Sequence, residues 1–227
     1  MRGALHVGLE GFVVSVTARG VPLMANAVGL AAPRLDLDGL RRGDPVRVGA
    51  GTIAVGPLGI VWDGPGVEVW DPGIPAVPAM PDPSALPPPD WLEVAATPAG
   101  TRGIALLSAA LAERDPAAAG EAARALLGRG PGLTPEGDDL LAGAAIGLRA
   151  LGDAGLAGAL CPPDVEARTT ALSATLLRLA TAGAAPAPVV RLLGGGDPAP
   201  ALEELLRLGR STGRALAAGM GLAAAAP

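Results

Sequence analysis

The sequence predicts an α+β protein. A small antiparallel β barrel or sandwich at the N-terminus is followed by an α-helical C-terminal region. Three observations carry this expectation. Up to about residue 70, short β-branched runs alternate with glycine and proline turns. From Asp71 to Pro89, prolines at 72, 75, 78, 81, 83, 87, 88 and 89 rule out helix interior and central strand. Beyond Asp90 the apolar residues take a helical spacing, broken by caps and prolines. The expected division is a β-rich domain over 1–72, a Pro-rich linker over 73–89, and a helical domain over 90–227.

The elements follow in order. Phe12-Val13-Val14-Ser15-Val16-Thr17 is β-branched and bounded by glycines, so it reads as a strand. Further strands are expected at 46–48, 52–55, 59–62 and 67–70. The turns Arg42-Gly43-Asp44-Pro45 and Asp63-Gly64-Pro65-Gly66 separate some of them. The prolines then make an extended connector. Helices are expected over 91–113, 116–127, 135–151, 163–182, 198–208 and 213–225. Asp115-Pro116, Thr134-Pro135, Gly183 and Asp197-Pro198 supply their starts and stops. The Gly194-Gly195-Gly196 run reads as a helix end.

Composition narrows the function. The chain has 227 residues, long enough to bury a core, but only 2% are aromatic, so that core must be aliphatic. All 17 basic residues are arginine, which excludes a lysine Schiff base and a P-loop lysine. Net charge is −5, with no basic cluster beyond Arg41-Arg42 and few rings for base stacking, so nucleic acid is not an expected partner. Cys161 is the only cysteine, so neither an intrachain disulfide nor a cysteine zinc site can form. His6 is the only histidine, and a Ser-His-Asp triad would have to draw on it from the N-terminus. It reads more simply as a structural residue and stays a candidate ligand contact. No apolar run approaches the roughly 18 residues of a membrane span, and the first residues lack the apolar core of a signal peptide. A soluble cytoplasmic protein is expected.

The segment Gly128 to Gly143 stands out. A glycine-rich loop holding Gly130 and Gly132 runs into a helix start, with Thr134 as the expected N-cap and Pro135 as the first helical residue. Glu136, Asp138 and Asp139 then crowd into one turn around Gly137. One acid there is ordinary; three repel each other. The turn could be a plain solvated helix start. It could be an anion site, its charge offset by Arg129, Arg210 or Arg214. Or Asp138 and Asp139 could hold Mg²⁺ through a water-completed shell, with no cofactor otherwise required. Adjacent helix residues point about 100° apart, which suggests different jobs for the two aspartates. The loop is neither a Walker A motif nor a dinucleotide fingerprint.

A second loop, Gly209-Arg210-Ser211-Thr212-Gly213, offers hydroxyls, backbone donors and an arginine before another helix. Gly137-x-x-Leu140-x-Ala142-Gly143 reappears after it as Gly213-x-x-Leu216-x-Ala218-Gly219. Asp139, Gly143 and Gly147 fall on one stripe whose small residues admit a close partner helix. The two helix starts are therefore expected side by side. Thr169, Thr170 and Ser173, near Arg168, form a hydroxyl group in a predicted helix. Such residues are commonly surface or locally bonded.

The string from Gly130 to Gly143, with Gly209 to Gly213, resembles the signatures of the AllH family, subunits of oxamate carbamoyltransferase. Thr170-x-x-Ser173 and the early histidine are compatible with it. The similarity is dense from about 125 to 225. Four positions depart from the family pattern. Glu136 stands where serine is usual and Arg210 where histidine is usual. Leu140 and Arg214 replace aromatic residues. The resemblance implies a cytoplasmic bacterial protein of allantoin catabolism and purine degradation. It would transfer a carbamoyl group between carbamoyl phosphate and oxamate, within a hetero-oligomer with other carbamoyltransferase subunits. On that reading Thr134, Ser211 and Thr212 orient ligand oxygens. Arg210 offsets phosphate charge, and Asp138 or Asp139 orients the amine or holds Mg²⁺. Gly130, Gly132, Glu136, Gly137, Gly213, Thr170, Ser173 and His6 complete the candidate ligand contacts. The competing readings are a non-catalytic binding or scaffold subunit, and a metal-dependent hydrolase of a small amide or phosphate.

Overall fold

The structure is a computed structural model that describes residues 4–61, 67–76 and 78–226. Two three-stranded sheets lead. In the first, β1 (Ala4–Leu9) and β2 (Phe12–Thr17) form an antiparallel hairpin turned at Gly11, which takes a φ of 70°. The loop after β2 then brings β3 (Ala27–Gly29) back parallel to it. The second sheet is an antiparallel meander of β4 (Val46–Gly49), β5 (Thr52–Val55) and β6 (Leu58–Val61).

Val7 and Val16 of the first sheet share a small core with Ile53, Val55 and Ile60 of the second. The pair is sandwich-like. It does not close into a barrel, and the parallel β2–β3 contact departs from the expected antiparallel pairing. Among the described residues no strand pairs with 67–70, contrary to the expectation of a strand there, and Val69 is 95% exposed. Trp62 and the turn at 63–66 lie outside the described residues.

The proline-rich stretch is laid along the helical region. Gly73 bridges Ala184, the Ile74 amide donates to Gly183 O at 2.9 Å, and the Ala79 amide donates to Leu193 O at 2.9 Å. Leu86 inserts into the helical core.

The helices start where capping chemistry dictates. Residues 89–91 and 93–96 are 3₁₀ turns, and α1 (Pro98–Glu113) begins only after Thr97, whose hydroxyl accepts from the Gly100 amide. The helix expected over 91–113 is therefore shorter, because Pro98 cannot donate to the preceding turn. Asp115 caps α2 (Pro116–Leu126), and Asp197 caps α7 (Pro198–Leu206). The helix expected over 163–182 is cut by Thr170, which caps α5 (Ala171–Thr181) and leaves a short 3₁₀ turn at 165–167. Two short helices come in addition, α4 (Ala154–Ala159) and α6 (Ala187–Leu193).

At the centre, α3 (Glu136–Ala150) is buried at every residue from Glu136 to Leu148. A helix enclosed on all sides needs close partners, and α8 (Thr212–Ala225) is the closest. A Cβ on Gly143 would sit 2.0 Å from Leu216 O, and one on Gly219 would sit 2.1 Å from Leu140 O. These contacts are reciprocal, because Gly143 and Leu140 occupy the motif positions of Gly219 and Leu216. Gly137 and Gly213 also match: each abuts a carbonyl of the helix before its loop, Leu126 O and Leu205 O. The repeated motif is thus a packing device that sets α3 and α8 side by side, running the same way.

The first sheet docks on this bundle. The buried Val13 amide donates to Thr175 Oγ1 of α5 at 3.0 Å, and the Ala187 amide donates to Leu23 O at 2.8 Å. Among the described residues no helix is long and apolar enough to cross a membrane.

Candidate functional site

The two glycine-rich loops enter α3 and α8 next to one another. Thr134 Oγ1 and Thr212 Oγ1 lie 3.0 Å apart within hydrogen-bond distance, and both residues are half-buried. This contact corrects one expectation. Thr134 is not the N-cap of α3; Pro135 holds that position without a side-chain bond. The hydroxyl expected to cap the helix is drawn away by its neighbour across the helix pair. Ser211 stands at the N-cap of α8 and makes no side-chain cap bond either.

The three acids are not a solvated turn. Glu136, Asp138 and Asp139 are 2%, 2% and 4% exposed. Each has its own surroundings. Glu136 Oε2 accepts from the Val94 amide at 2.8 Å and so grips the 3₁₀ turn before α1. Asp138 closes the first loop: Oδ1 accepts from the Gly128 amide at 2.7 Å, and Oδ2 accepts from the Thr169 hydroxyl. Burial pushes the Asp138 carboxyl above its ordinary value, while Thr169, Gly128 and the nearby Ser173 oppose that rise.

Asp139 is different. Its Oδ2 is buried without a hydrogen-bond partner. Its pKa is pushed up to about 8, first by burial, with smaller contributions from the Asp138 and Glu136 charges. The adjoining Thr212 and Thr134 hydroxyls pull it back only in part. Asp139 is therefore largely a neutral carboxylic acid at pH 7, able to donate a hydrogen bond rather than repel an anion. It also lines a small cavity of about 20 Å³ with Met24 and Ala25, so the loop between β2 and β3 roofs the acid.

The first loop is held by its own chemistry. Gly130 adopts a φ of 103°, and a Cβ there would lie 2.9 Å from the Glu136 nitrogen. Gly132, at a φ of 108°, bends the exposed tip. The Thr170 hydroxyl donates to Leu133 O at 2.9 Å, tying this tip to α5. The first amides of α3 are taken: Gly137 donates to Arg129 O, and Asp138 and Asp139 donate to Pro135 O. Arg210 is exposed and paired with Glu93 at 2.8 Å, while Arg214 donates to Arg210 O at 3.0 Å. The Arg129 guanidinium folds back onto Ala125 O.

The sequence-predicted residues thus separate into groups. Thr134, Thr212 and Asp139 meet, with Ser211, Gly213 and Arg210 at the same helix start. Asp138, Ser173 and Thr170 flank them on the α5 side, and Glu136 faces the other way. His6 belongs elsewhere: its Nδ1 lies 3.0 Å from Ser15 Oγ in the first sheet. Thr169, a member of the hydroxyl group in sequence, is the direct partner of Asp138. Sequence reasoning misses Asn26 and Ser15, whose only signal is polarity in and after a β-branched run. Asp138 and Asp139 diverge, and among the described residues no three His, Cys, Asp or Glu side chains converge as a metal site.

The fold and this cluster define an α+β protein in which paired glycine-rich loops place a buried acid beneath two threonine hydroxyls. The family model described as oxamate carbamoyltransferase subunit AllH matches residues 126–224, the family that both motifs resemble. Its description is that of one subunit of an enzyme with others. No curated protein and no solved structure matches the chain.

Proposed function

We propose that this chain is the AllH-type subunit of a carbamoyltransferase complex and that its ligand is met where Thr134 and Thr212 come together. The meeting of these hydroxyls above a neutral acid, inside the family-matched segment, carries the reading. In the transfer, the amide nitrogen of oxamate attacks the carbamoyl carbon of carbamoyl phosphate. The bond from that carbon to the phosphate oxygen breaks, phosphate leaves with the electron pair and accepts the nitrogen's proton, and oxalurate forms. This step needs positioned oxygens and balanced charge rather than a protein nucleophile. Thr134 and Thr212 would hold ligand oxygens. Asp139, acting through them, is a positioning residue that fixes which way the hydroxyls point. Arg210 and Arg214 would balance phosphate charge at the start of α8. Asp138 has both oxygens occupied by the protein and serves the loop, so no divalent ion is part of this proposal.

A second reading, a scaffold subunit that contacts no substrate, draws on the occupied first amides of α3. One experiment separates the two. The chain is assembled with its partner subunits and assayed for oxalurate formation, alongside thermal shifts with carbamoyl phosphate, oxamate and oxalurate. A ligand at about 100 times its Kd stabilises by about 2.7 kcal/mol. The T134V/T212V double variant is expected to assemble normally but lose ligand stabilisation and activity. Full activity in that variant refutes the substrate-contact reading and supports the scaffold. No ligand shift and no activity in the assembled wild-type complex refutes both.

A further inference from the structure

Asp139 is enclosed on one side by residues far from it in the chain. The loop between β2 and β3 reaches over the helical bundle, and its Met24 packs against the helical core rather than the core between the sheets. Met24 and Ala25 share the cavity of about 20 Å³ with Asp139, whose Oδ2 has no hydrogen-bond partner. The other residues around it are all apolar: α3 gives Ala142 and Ile146, α5 gives Leu176 and Ala180, and α8 gives Leu216, with Ala184 and Pro186 beside them. A cavity so small and so apolar stays dry. None of these walls brings a charged group. The charges that act on Asp139 are those of Asp138 and Glu136 on its own helix.

The roof over this cavity is fastened on both sides. Leu23 O accepts from the Ala187 amide at the start of α6 at 2.8 Å, and Met24 O accepts from the Ala27 amide at 2.9 Å. Just beyond, Asn26 Nδ2 donates to Val13 O at 2.8 Å and to Ser15 Oγ at 3.0 Å. Both amide protons of Asn26 are thus spent on β2, and the Val13 amide in turn donates to Thr175 Oγ1 of α5. Lifting the loop would break buried hydrogen bonds, so the roof is part of how the first sheet docks on the helices. Met24 and Ala25 are half-buried, with one side toward solvent and the other on the cavity.

We infer that Met24 is a positioning residue for the Thr134–Thr212 site: by closing the cavity it keeps water from the free oxygen of Asp139, and so leaves the acid to bond the threonine hydroxyls alone. The first sheet lies outside the segment 126–224 that matches the family, yet through Met24 it completes the site. The functional meaning of this closure rests on the proposed role of Asp139; the closure itself does not depend on which ligand binds. Water admitted beside Asp139 would solvate the carboxylate and lower the cost of ionising it.

The test is an NMR titration of the full chain, following the carboxyl carbon of Asp139, assigned by its loss in D139N. The wild-type midpoint is expected at about 8. Met24→Ala, which opens the roof, is expected to lower it by about one unit or more. Met24→Gln, which keeps the length of the side chain but brings a polar end, is expected to lower it too. Met24→Leu refills the roof with an apolar group of similar volume and is expected to restore the wild-type midpoint. Melting temperatures are read in parallel, because a merely structural role would change them without moving the titration. A lowered melting temperature with an unmoved midpoint in both Met24→Ala and Met24→Gln overturns the inference. So does a wild-type midpoint near the ordinary 3.8, or a Met24→Leu midpoint as low as that of Met24→Ala. The titration uses neither substrate nor partner subunits, so an inactive complex leaves the inference standing, and an unmoved midpoint refutes it alone.

Discussion

Replacing Asp139 by asparagine should stabilise this protein at neutral pH, which is unusual for a change at a buried polar residue. The unfolded chain releases the Asp139 proton near the ordinary 3.8, whereas the folded protein holds it to about 8. Between those values the native state binds more protons than the unfolded state, so stability falls as pH rises through the window. Below the window the carboxyl is neutral in both states and contributes no difference. Each pKa unit is worth about 1.4 kcal/mol, so keeping Asp139 protonated costs about 4 kcal/mol at pH 7. Asparagine has nearly the shape of the neutral acid and no such cost. Its amide brings two donors where the acid has one, and a poorer fit to the threonine pair would take back about 1–2 kcal/mol. A net gain of about 2 kcal/mol remains at pH 7. Urea unfolding of both proteins from pH 4 to 8 measures this directly through the midpoint at constant m-value. The curves should diverge with rising pH, the variant becoming the more stable. A D139N protein less stable than wild type at pH 7.5, with the wild-type pH slope intact, refutes the reasoning.

Three further outcomes follow from the packing of α3 and α8 and from the contacts at their starts. In Gly143→Ala the new Cβ lies 2.0 Å from Leu216 O, so α8 must retreat by about 1.4 Å to reach an ordinary 3.4 Å contact. Because the obstacle is backbone, the expected loss is about 3 kcal/mol or more, read as a fall in melting temperature. Glu136→Ser leaves the Val94 amide without its acceptor and should cost about 1–3 kcal/mol in urea unfolding, whereas Arg210→His, which loses an exposed pair, should cost little.

What the sequence discloses depends on the range of the forces involved. The α+β division is legible because periodicity and proline punctuation are local. Asp115-Pro116 and Asp197-Pro198 mark helix starts reliably because each cap bonds amides only two or three residues ahead. Thr97-Pro98 carries the same signature, but the expected helix begins at 91 and passes over it, which misplaces the start of α1. Thr134-Pro135 also looks like a cap, but the competing hydroxyl is Thr212, 78 residues away. Residues 67–70 alternate as a strand should, yet a strand needs a partner, and among the described residues none pairs with them. α6 is hidden by Pro186 and Pro188, which mark a helix beginning as readily as a loop. The echo of Gly137 to Gly143 in Gly213 to Gly219 is legible because close helix packing writes itself as spaced glycines. Glycine spacing alone is therefore enough to pair α3 with α8.

The acid cluster poses a problem that sequence alone does not resolve, since three carboxylates in one turn repel each other. The fold resolves it by giving them separate neighbours. Glu136 satisfies Val94, Asp138 satisfies Gly128 and Thr169, and Asp139 sheds its charge. The departures from the family pattern fit this arrangement. Glu136 stands where serine is usual, and a serine oxygen, two bonds shorter in reach, would stop short of Val94. Arg210 stands where histidine is usual and pairs with Glu93, the neighbour of Val94. Both departures therefore grip the same 3₁₀ turn, one through its backbone and one through its side chain. Glu136 places this grip beside α3 and Arg210 places it beside α8. They tie the turn to the starts of both helices and leave Thr134, Thr212 and Asp139 in place. On the carbamoyltransferase reading proposed above, a change of ligand preference should be tested first at residues 93–96, which Glu136 and Arg210 hold at the two helix starts.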